Sequence, residues 1–162
     1  MSANNVLRFL DARGVPYTAF DLPKEKLSAM ETARLLGVSP DLVYKTIVVV
    51  RPKGGKPILA LVSASREVDL KALARVLGEK KLRLPTQKEA ERLTGLQAGG
   101  ISPLALLHKG FQVVIDSTAQ LYDEIHISGG QRGLNLRLPV RVLIELTHAL
   151  VCAIGRDVDG HA

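Results

Sequence analysis

The chain has 162 residues, of which 46% are hydrophobic, so it is long enough for one domain with a proper core, and its apolar runs are too short to span a bilayer. A single cysteine, Cys152, excludes an internal disulfide, and residues 1–13 lack a signal-peptide layout, so we expect one cytoplasmic domain over residues 1–162. The net charge of +6 favours an anionic partner such as nucleic acid, whereas an aromatic content of 4% without tryptophan argues against a base-stacking platform.

The first half of the chain alternates short helices and strands. The expected elements are a helix over 4–13, a strand over 17–22, a helix from the Ser28 cap to Gly37, a capped turn at 39–41 and two strands over 44–51 and 57–63. Ser28 and Glu31 form a capping box, which is a specific sign of a helix start. The last two strands are rich in Val, Ile and Leu around a Gly-containing connection, so they predict an antiparallel hairpin buried on both faces.

The second half continues with helices and further short strands. The expected elements are helices over 69–77 and 86–93, strands over 112–116, 124–128 and 134–138, a helix over 140–149 and an apolar run over 150–154. Hairpins dominate over strand–helix–strand units in this order. The pattern therefore predicts an α+β domain with a mixed sheet.

Basic residues concentrate in two segments, 51–56 and 66–83. Pro52, Gly54 and Gly55 give the first segment the composition of a hairpin tip. Two interpretations stay open, namely contact with phosphates and ordinary solubilising charge. Nothing in either segment indicates sequence-specific readout of nucleic acid.

Conventional catalytic patterns are absent. Cys152 lies in an apolar run, which favours a buried structural thiol over a nucleophile. The four histidines, His108, His126, His148 and His161, share no ligand-like spacing, so we expect no metal site. The chain also lacks a Gly-x-Ser-x-Gly elbow. If the protein is an enzyme, it should act mainly by positioning its substrate and by backbone dipoles.

Three segments could supply such positioning. Lys45 opens a strand that is otherwise apolar, and lysine is rarely buried without a partner. Gly99 and Gly100 expose backbone beside the rigid Pro103, and the segment 126–135 ends a strand in a glycine-rich turn. Each segment alone also suits an ordinary turn or an exposed strand end.

Together the three segments resemble the YbaK/EbsC family, the freestanding relatives of the editing domain inserted in bacterial prolyl-tRNA synthetases. The order and spacing of the matching motifs agree from about Val6 to Arg156. The residues that carry the resemblance are 43–46, Thr94-Gly95, 99–104, Asp116 and 128–134.

The resemblance implies a mixed, largely antiparallel curved sheet flanked by helices. It also implies a trans-editing deacylase that hydrolyses the ester of mischarged tRNA, most of all Cys-tRNA(Pro), with the substrate's own thiol attacking the carbonyl. The implied partners are the acceptor end of aminoacyl-tRNA and a prolyl-tRNA synthetase, with no cofactor or metal. Clearance of alanine or serine, a non-catalytic module that binds tRNA or a synthetase, and a hydrolase of small esters or amides remain as alternatives.

The site residues follow from the same resemblance. Those expected to be catalytic are Lys45, Gly99 and Gly100. Those expected to bind substrate are Thr46, Ile101, Ser102, Pro103, Ser128, Gly129, Gly130, Arg132, Gly133, Asn135 and Ser28. Asn135 stands where cysteine-specific relatives often carry aspartate, so a charge that could attract an α-ammonium is missing. Ser28 has a second interpretation as the helix N-cap.

Overall fold

The computed structural model describes residues 4–158, so His161 lies outside the described part. The helices are α1 (Asn5–Ala12), α2 (Ala29–Leu36), α3 (Leu70–Leu77), α4 (Gln87–Thr94) and α5 (Val140–Thr147). The strands are β1 (Thr18–Asp21), β2 (Tyr44–Val49), β3 (Ile58–Ser63), β4 (Arg66–Val68), β5 (Gln112–Asp116), β6 (Glu124–Ser128), β7 (Leu134–Pro139), β8 (Leu150–Cys152) and β9 (Gly155–Asp157). Over this part of the chain no helix is long and apolar enough to cross a membrane.

Side chains at the helix ends fix the boundaries. The Ser28 hydroxyl accepts a hydrogen bond from the Glu31 amide while the Glu31 carboxylate accepts one from the Ser28 amide, so the predicted capping box is confirmed. Helix α5 ends at Thr147 rather than at residue 149. The reason is that His148 takes a left-handed conformation (φ 54°) and stops the helix.

The strands form a mixed sheet of order β2-β3-β5-β8, an antiparallel sheet of order β1-β7-β6 and a separate β4-β9 pair. Strands β3, β5 and β8 run parallel to one another, and every other strand pair is antiparallel. The α+β class and the mixed sheet are therefore confirmed. The strands β4 and β9 were not predicted, because three residues are too few to show a period.

Strand β3 separates two hydrophobic clusters. Alternate residues point to opposite faces, so Leu59 and Leu61 join the cluster shared with β6 and β7, while Ile58 and Ala60 join the cluster under α3. All of β3 is buried, as predicted. In β2, however, residues 45–47 are only half-buried, so the prediction of a hairpin buried on both faces is wrong for that strand. Cys152 is also half-buried rather than buried.

A buried carboxylate ties the sheets together. Asp116, which is 1% exposed, accepts hydrogen bonds from the amides of Ile154 and Gly155, both at 3.0 Å. Its second oxygen accepts one from the Thr118 hydroxyl at 2.8 Å and lies 3.4 Å from Nε of Arg66. The end of β5 is thereby joined to the β4-β9 pair.

Replacing this carboxylate should loosen the C-terminal strands. We expect Asp116→Asn to lower the free energy of unfolding by about 2–3 kcal/mol, because hydrogen bonds to a buried charged group are worth about 1.5–3 kcal/mol. Chemical denaturation measures the change. The matched control is Asp157→Asn, which removes the exposed partner of Arg66 and should change stability by less than about 1 kcal/mol. Equal effects of the two substitutions would contradict this assignment.

Candidate functional site

A cavity of about 240 Å³ lies along the outer edge of β2, where that strand faces the antiparallel sheet. The two sheets meet in a bridge between Val43 and His126. Within residues 4–158 β2 is an edge strand that pairs with β3 alone, and its consecutive residues 44–47 line the cavity. The remaining walls come from the segment 22–29 with the start of α2, from the loop 98–101 and from the connection of β6 to β7. The lining residues are Leu22, Glu25, Leu27, Ala29, Thr32, Val43, Tyr44, Lys45, Thr46, Ile47, Ala98, Gly99, Ile101, Ser128, Gly133, Leu134 and Asn135.

The structure brings half of the predicted site residues to this cavity. Those that line it are Lys45, Thr46, Gly99, Ile101, Ser128, Gly133 and Asn135. Those that do not line it are Gly100, Ser102, Pro103, Gly129, Gly130, Arg132 and Ser28. The second group consists of residues that shape or hold the walls.

The roles of this second group are visible in their contacts. Ser28 is the N-cap of α2. Ser102 is fully buried and its hydroxyl accepts a hydrogen bond from the Leu104 amide, next to the buried Pro103. The Gly129 amide donates to the Leu134 carbonyl, and the Gly130 amide donates to the Ser128 hydroxyl. These groups hold the turns on which the lining residues sit.

The loop 98–101 is pressed against the β6–β7 connection. A Cβ on Gly100 would lie 2.8 Å from backbone atoms of Gln131 and Arg132, so only glycine fits there. Nε of Arg132 donates to the Ala98 carbonyl at 2.7 Å, and the Ala98 amide donates to the Glu91 carboxylate at 2.8 Å. These contacts fix the loop from both sides.

The backbone amides of this loop differ in what they can offer a ligand. The Gly100 amide donates to the Gln97 carbonyl at 2.8 Å, so it is already occupied. Gly99, with φ of 90°, and Ile101 both line the cavity, and within residues 4–158 neither amide has an acceptor. The residues that line the cavity and have a free amide therefore lie on either side of Gly100, whose own amide is occupied.

Lys45 is a lining residue of the cavity that carries an amine. Its side chain is half-buried, and burial lowers its pKa below 10.5, an effect that the negative charge of Glu67 partly offsets. Glu67 itself pairs with Arg156 at 2.6 Å. Among the described residues Lys45 has no ion-pair partner, so it is available to an anionic or polar group of a ligand.

Thr46 adds an unpaired hydroxyl beside Lys45. Its Oγ1 is shielded from solvent, and no group in residues 4–158 forms a hydrogen bond with it. An unpaired buried hydroxyl costs about 1–3 kcal/mol. Because Thr46 lines the cavity, its hydroxyl is a candidate for a hydrogen bond with a ligand, which would have to displace the atoms that now cover Oγ1.

Asn135, which lines the opposite wall, forms a buried neutral pair with His126, which does not line the cavity. The two side chains are 4% and 2% exposed, and Oδ1 of Asn135 lies 2.8 Å from Nδ1 of His126. Burial lowers the pKa of His126 below 6.5, so the ring is neutral at pH 7 and its Nδ1 hydrogen points at the amide oxygen. The Asn135 amide group that remains is a hydrogen-bond donor.

Several lining residues were not predicted from the sequence. Tyr44 belongs to the motif 43–46 that carries the family resemblance, but it was not predicted as a site residue. Its hydroxyl forms a hydrogen bond with Thr118 at 2.7 Å, and Thr118 in turn bonds to Asp116. Glu25 and Leu27 lie in a segment without periodicity. Burial raises the pKa of Tyr44 to about 12, so its hydroxyl stays protonated.

Over residues 4–158 no three His, Cys, Asp or Glu side chains converge as metal ligands, and Cys152 does not line the cavity.

The sequence matches a known protein family over most of its length. A family model described as the aminoacyl-tRNA editing domain matches residues 24–146. The chain belongs to the aminoacyl-tRNA editing family. This family consists of deacylases, which are hydrolases. The resemblance to its YbaK/EbsC branch is confirmed by a curated relative and by a solved structure.

Two relatives of the editing family extend over different lengths. EbsC of Enterococcus faecalis, named as a provisional Cys-tRNA(Pro)/Cys-tRNA(Cys) deacylase, is 34% identical over 146 residues, covering 89% of this chain and 88% of EbsC. Proline–tRNA ligase of Thermodesulfovibrio yellowstonii is 32% identical over 80 residues, covering 49% of this chain and 14% of the ligase. The chain is thus similar to a whole freestanding protein and to a small part of a synthetase.

Solved structures show the same architecture. The hypothetical protein APE2540 superposes with a TM-score of 0.85 at 26% identity, covering 93% of this chain and 99% of that chain. A protein named as a provisional trans-editing enzyme for prolyl-tRNA synthetase superposes with a TM-score of 0.77 at 28% identity, covering 96% and 99%.

Thr46→Val tests whether the unpaired hydroxyl serves a ligand. Valine keeps the shape and removes the hydroxyl, so we expect deacylation of aminoacyl-tRNA to fall about tenfold, the effect of one lost hydrogen bond of about 1–1.5 kcal/mol. Thermal stability should be equal or higher, because no hydrogen bond is lost in the free protein. Thr147→Val is the control, since its hydroxyl bonds to the Leu143 carbonyl in α5 away from the cavity. Full activity of Thr46→Val would remove the hydroxyl from the site.

Proposed function

We propose that this chain is a trans-editing deacylase whose substrate is Cys-tRNA(Pro). The observation that supports the proposal best is that one small cavity is lined by a lysine, a threonine hydroxyl and two backbone amides that have no partner within residues 4–158. A volume of about 240 Å³ suits one small aminoacyl group better than a larger ligand. The name of EbsC and its 34% identity support cysteine as the amino acid.

In this proposal the substrate supplies the nucleophile. The cysteinyl sulfur attacks the carbonyl carbon of its own ester, the new C–S bond replaces the C–O bond to the ribose, and the thiol proton ends on the departing ribose hydroxyl. Water then opens the cyclic thioester to free cysteine. The protein's contribution is orientation, because an activated ester with an internal thiol gains much of its rate from being held in a reactive geometry.

Each wall of the cavity has a role in that orientation. The amides of Gly99 and Ile101 stabilise the negative charge that develops on the carbonyl oxygen, and Gly100 places them. Lys45 and Thr46 hold the ribose or its phosphate, with Lys45 acting as a charge and not as a base. Ser128, Gly133 and Asn135 form the wall around the amino acid, with no carboxylate at Asn135 to hold the α-ammonium. The remaining predicted residues support these groups.

A second candidate, clearance of alanine or serine from tRNA, is favoured by Asn135. A neutral donor at this position does not select a thiol over a hydroxyl or a methyl group. For either substrate, a prolyl-tRNA synthetase partner would select the tRNA, and the reaction would take place in the cytoplasm, carried out by a single domain without cofactor or metal.

The decisive experiment follows release of labelled amino acid from Cys-tRNA(Pro), Ala-tRNA(Pro) and Ser-tRNA(Pro). We expect rapid loss of cysteine alone, because only cysteine carries the internal thiol. Loss of alanine or serine would keep the editing activity but require water as the nucleophile. Tight binding of tRNA with no release of any amino acid would contradict the enzyme and favour a binding module.

Lys45→Ala should separate function from folding. We expect kcat/KM for Cys-tRNA(Pro) to fall by more than about tenfold, as for loss of a charge-assisted contact worth about 1.5–3 kcal/mol. The melting temperature should stay equal or rise, because burial already disfavours the charged amine in the folded protein. Arg141→Ala, an exposed position outside the cavity, is the control. Near-normal turnover by Lys45→Ala would remove this residue from the mechanism.

A further inference from the structure

The hairpin tip 51–56 and the end of the second basic segment, residues 79–83, lie side by side although they are separate in sequence. The Val50 amide donates to the Arg83 carbonyl at 2.8 Å, and the Arg83 amide donates back to the Val50 carbonyl at 3.2 Å. Nε of Arg51 pairs with Glu79 at 2.9 Å. The hairpin tip 51–56 and the segment 79–83 therefore form one continuous surface, called the basic edge below.

The basic edge holds nearly all of the chain's excess charge. Its two segments contain six of the 22 basic residues and one of the 16 acidic residues, a net charge of +5 against +6 for the whole chain. Arg51 and Arg83 are paired with Glu79 and Glu89. The four lysines are all exposed, and over residues 4–158 none has an ion-pair partner. They are Lys53, Lys56, Lys80 and Lys81. Solubilising charge would be spread over the surface, whereas this charge is concentrated.

A groove connects the basic edge with the cavity. Lys45 and Ile47 line both the cavity and this neighbouring groove of about 530 Å³, whose other walls include Lys71 and Leu84. Leu84 is 54% exposed and follows Arg83 directly, so the groove ends at the basic edge. From Lys45 to Arg51 the extended chain spans about 20 Å at about 3.3 Å per residue.

We propose that the basic edge binds backbone phosphates of the tRNA acceptor arm while the aminoacylated 3′ end occupies the cavity. The nucleotides between them cross the groove, where Leu84 gives an apolar contact and Lys71 a positive charge. The groove is also lined by two carboxylates, of which Glu67 is paired with Arg156 and Asp69 accepts a hydrogen bond from the Ala72 amide. This inference rests on the proposed function, since it takes the occupant of the cavity to be an aminoacyl ester of tRNA.

The composition of the basic edge fits a nucleic acid backbone. Lysines on a flexible stem contact phosphates as point charges and read no base, and the edge has no aromatic residue for stacking. The tip has only proline, glycine and charged residues, so it lacks the apolar groups that would insert into a lipid surface. The edge should therefore increase affinity for tRNA in general without selecting its sequence.

The test compares Lys53→Gln/Lys81→Gln with Arg13→Gln/Arg141→Gln, which removes two exposed positive charges outside the edge and the groove. Binding of uncharged tRNA is measured by fluorescence anisotropy over a range of salt concentrations. Deacylation is measured on Cys-tRNA(Pro) and on the cysteinyl ester of adenosine. We expect the edge variant to bind tRNA about tenfold more weakly. The slope of the logarithm of the binding constant against the logarithm of the salt concentration should be shallower by about two, which is about one for each lost phosphate contact.

The two substrates distinguish this surface from the cavity. We expect the edge variant to lose kcat/KM on Cys-tRNA(Pro) and to keep it on the adenosine ester, while the control keeps both. Unchanged tRNA binding by the edge variant, or an equal loss of binding in the control, would contradict tRNA binding by the basic edge, even if the wild-type protein deacylates Cys-tRNA(Pro). Loss of tRNA binding in the edge variant, with no hydrolysis by the wild type, would support the surface and overturn the proposed function.

Discussion

The contact on which the site depends is the packing of backbone against backbone at Gly100. A Cβ there would meet Gln131 and Arg132 at 2.8 Å, and the Arg132 side chain then fastens the same loop through the Ala98 carbonyl. Two glycine-rich loops that are separated by about 30 residues in sequence thus become one wall. Gly99 and Ile101, which line the cavity, owe their position to this contact, so Gly100 matters through the space it leaves and not through its own N–H group.

Charge is distributed unevenly along β2. At the cavity end, Asn135, paired with His126, contributes a neutral wall, and the charged lining residues are Lys45 and Glu25. At the other end, the hairpin tip is strongly positive. A ligand that is neutral or weakly polar at one end and polyanionic along its length matches that gradient. Each part of such a ligand would meet the surface on which its desolvation costs the least free energy.

Much of the fold could be predicted because local signals agreed with the final structure. The capping box at Ser28, the valine- and isoleucine-rich hairpin and the glycine at residue 37 act within a few residues of where they stand. The parallel pairing of β3 with β5 and the short strands β4 and β9 depend on distant partners, so no local pattern reveals them.

The site was predicted less completely for the same reason. Lys45 and Gly99 could be singled out because they are unusual in their local context. Thr46 stands out because its hydroxyl lacks a hydrogen bond, and Gly100 because its amide is already bonded to the Gln97 carbonyl. Neither fact can be read from the sequence. Resemblance to the family identified the segments, but it could not separate the residues that touch the cavity from those that hold them.

The bonds of Asp116 have a consequence for how the protein is made. This buried carboxylate is satisfied by amides 38 and 39 residues further along the chain. Until that segment has left the ribosome, β5 has no parallel neighbour in β8, and one oxygen of the Asp116 carboxylate lacks both of its amide donors, while Thr118 and Arg66 are available only to the other oxygen. Such long-range pairing is slow to form. The cavity edge of β2, supported through β3 and β5, therefore becomes rigid only after the C-terminal strands dock, and a nascent chain that stops short of them would not yet present a working site.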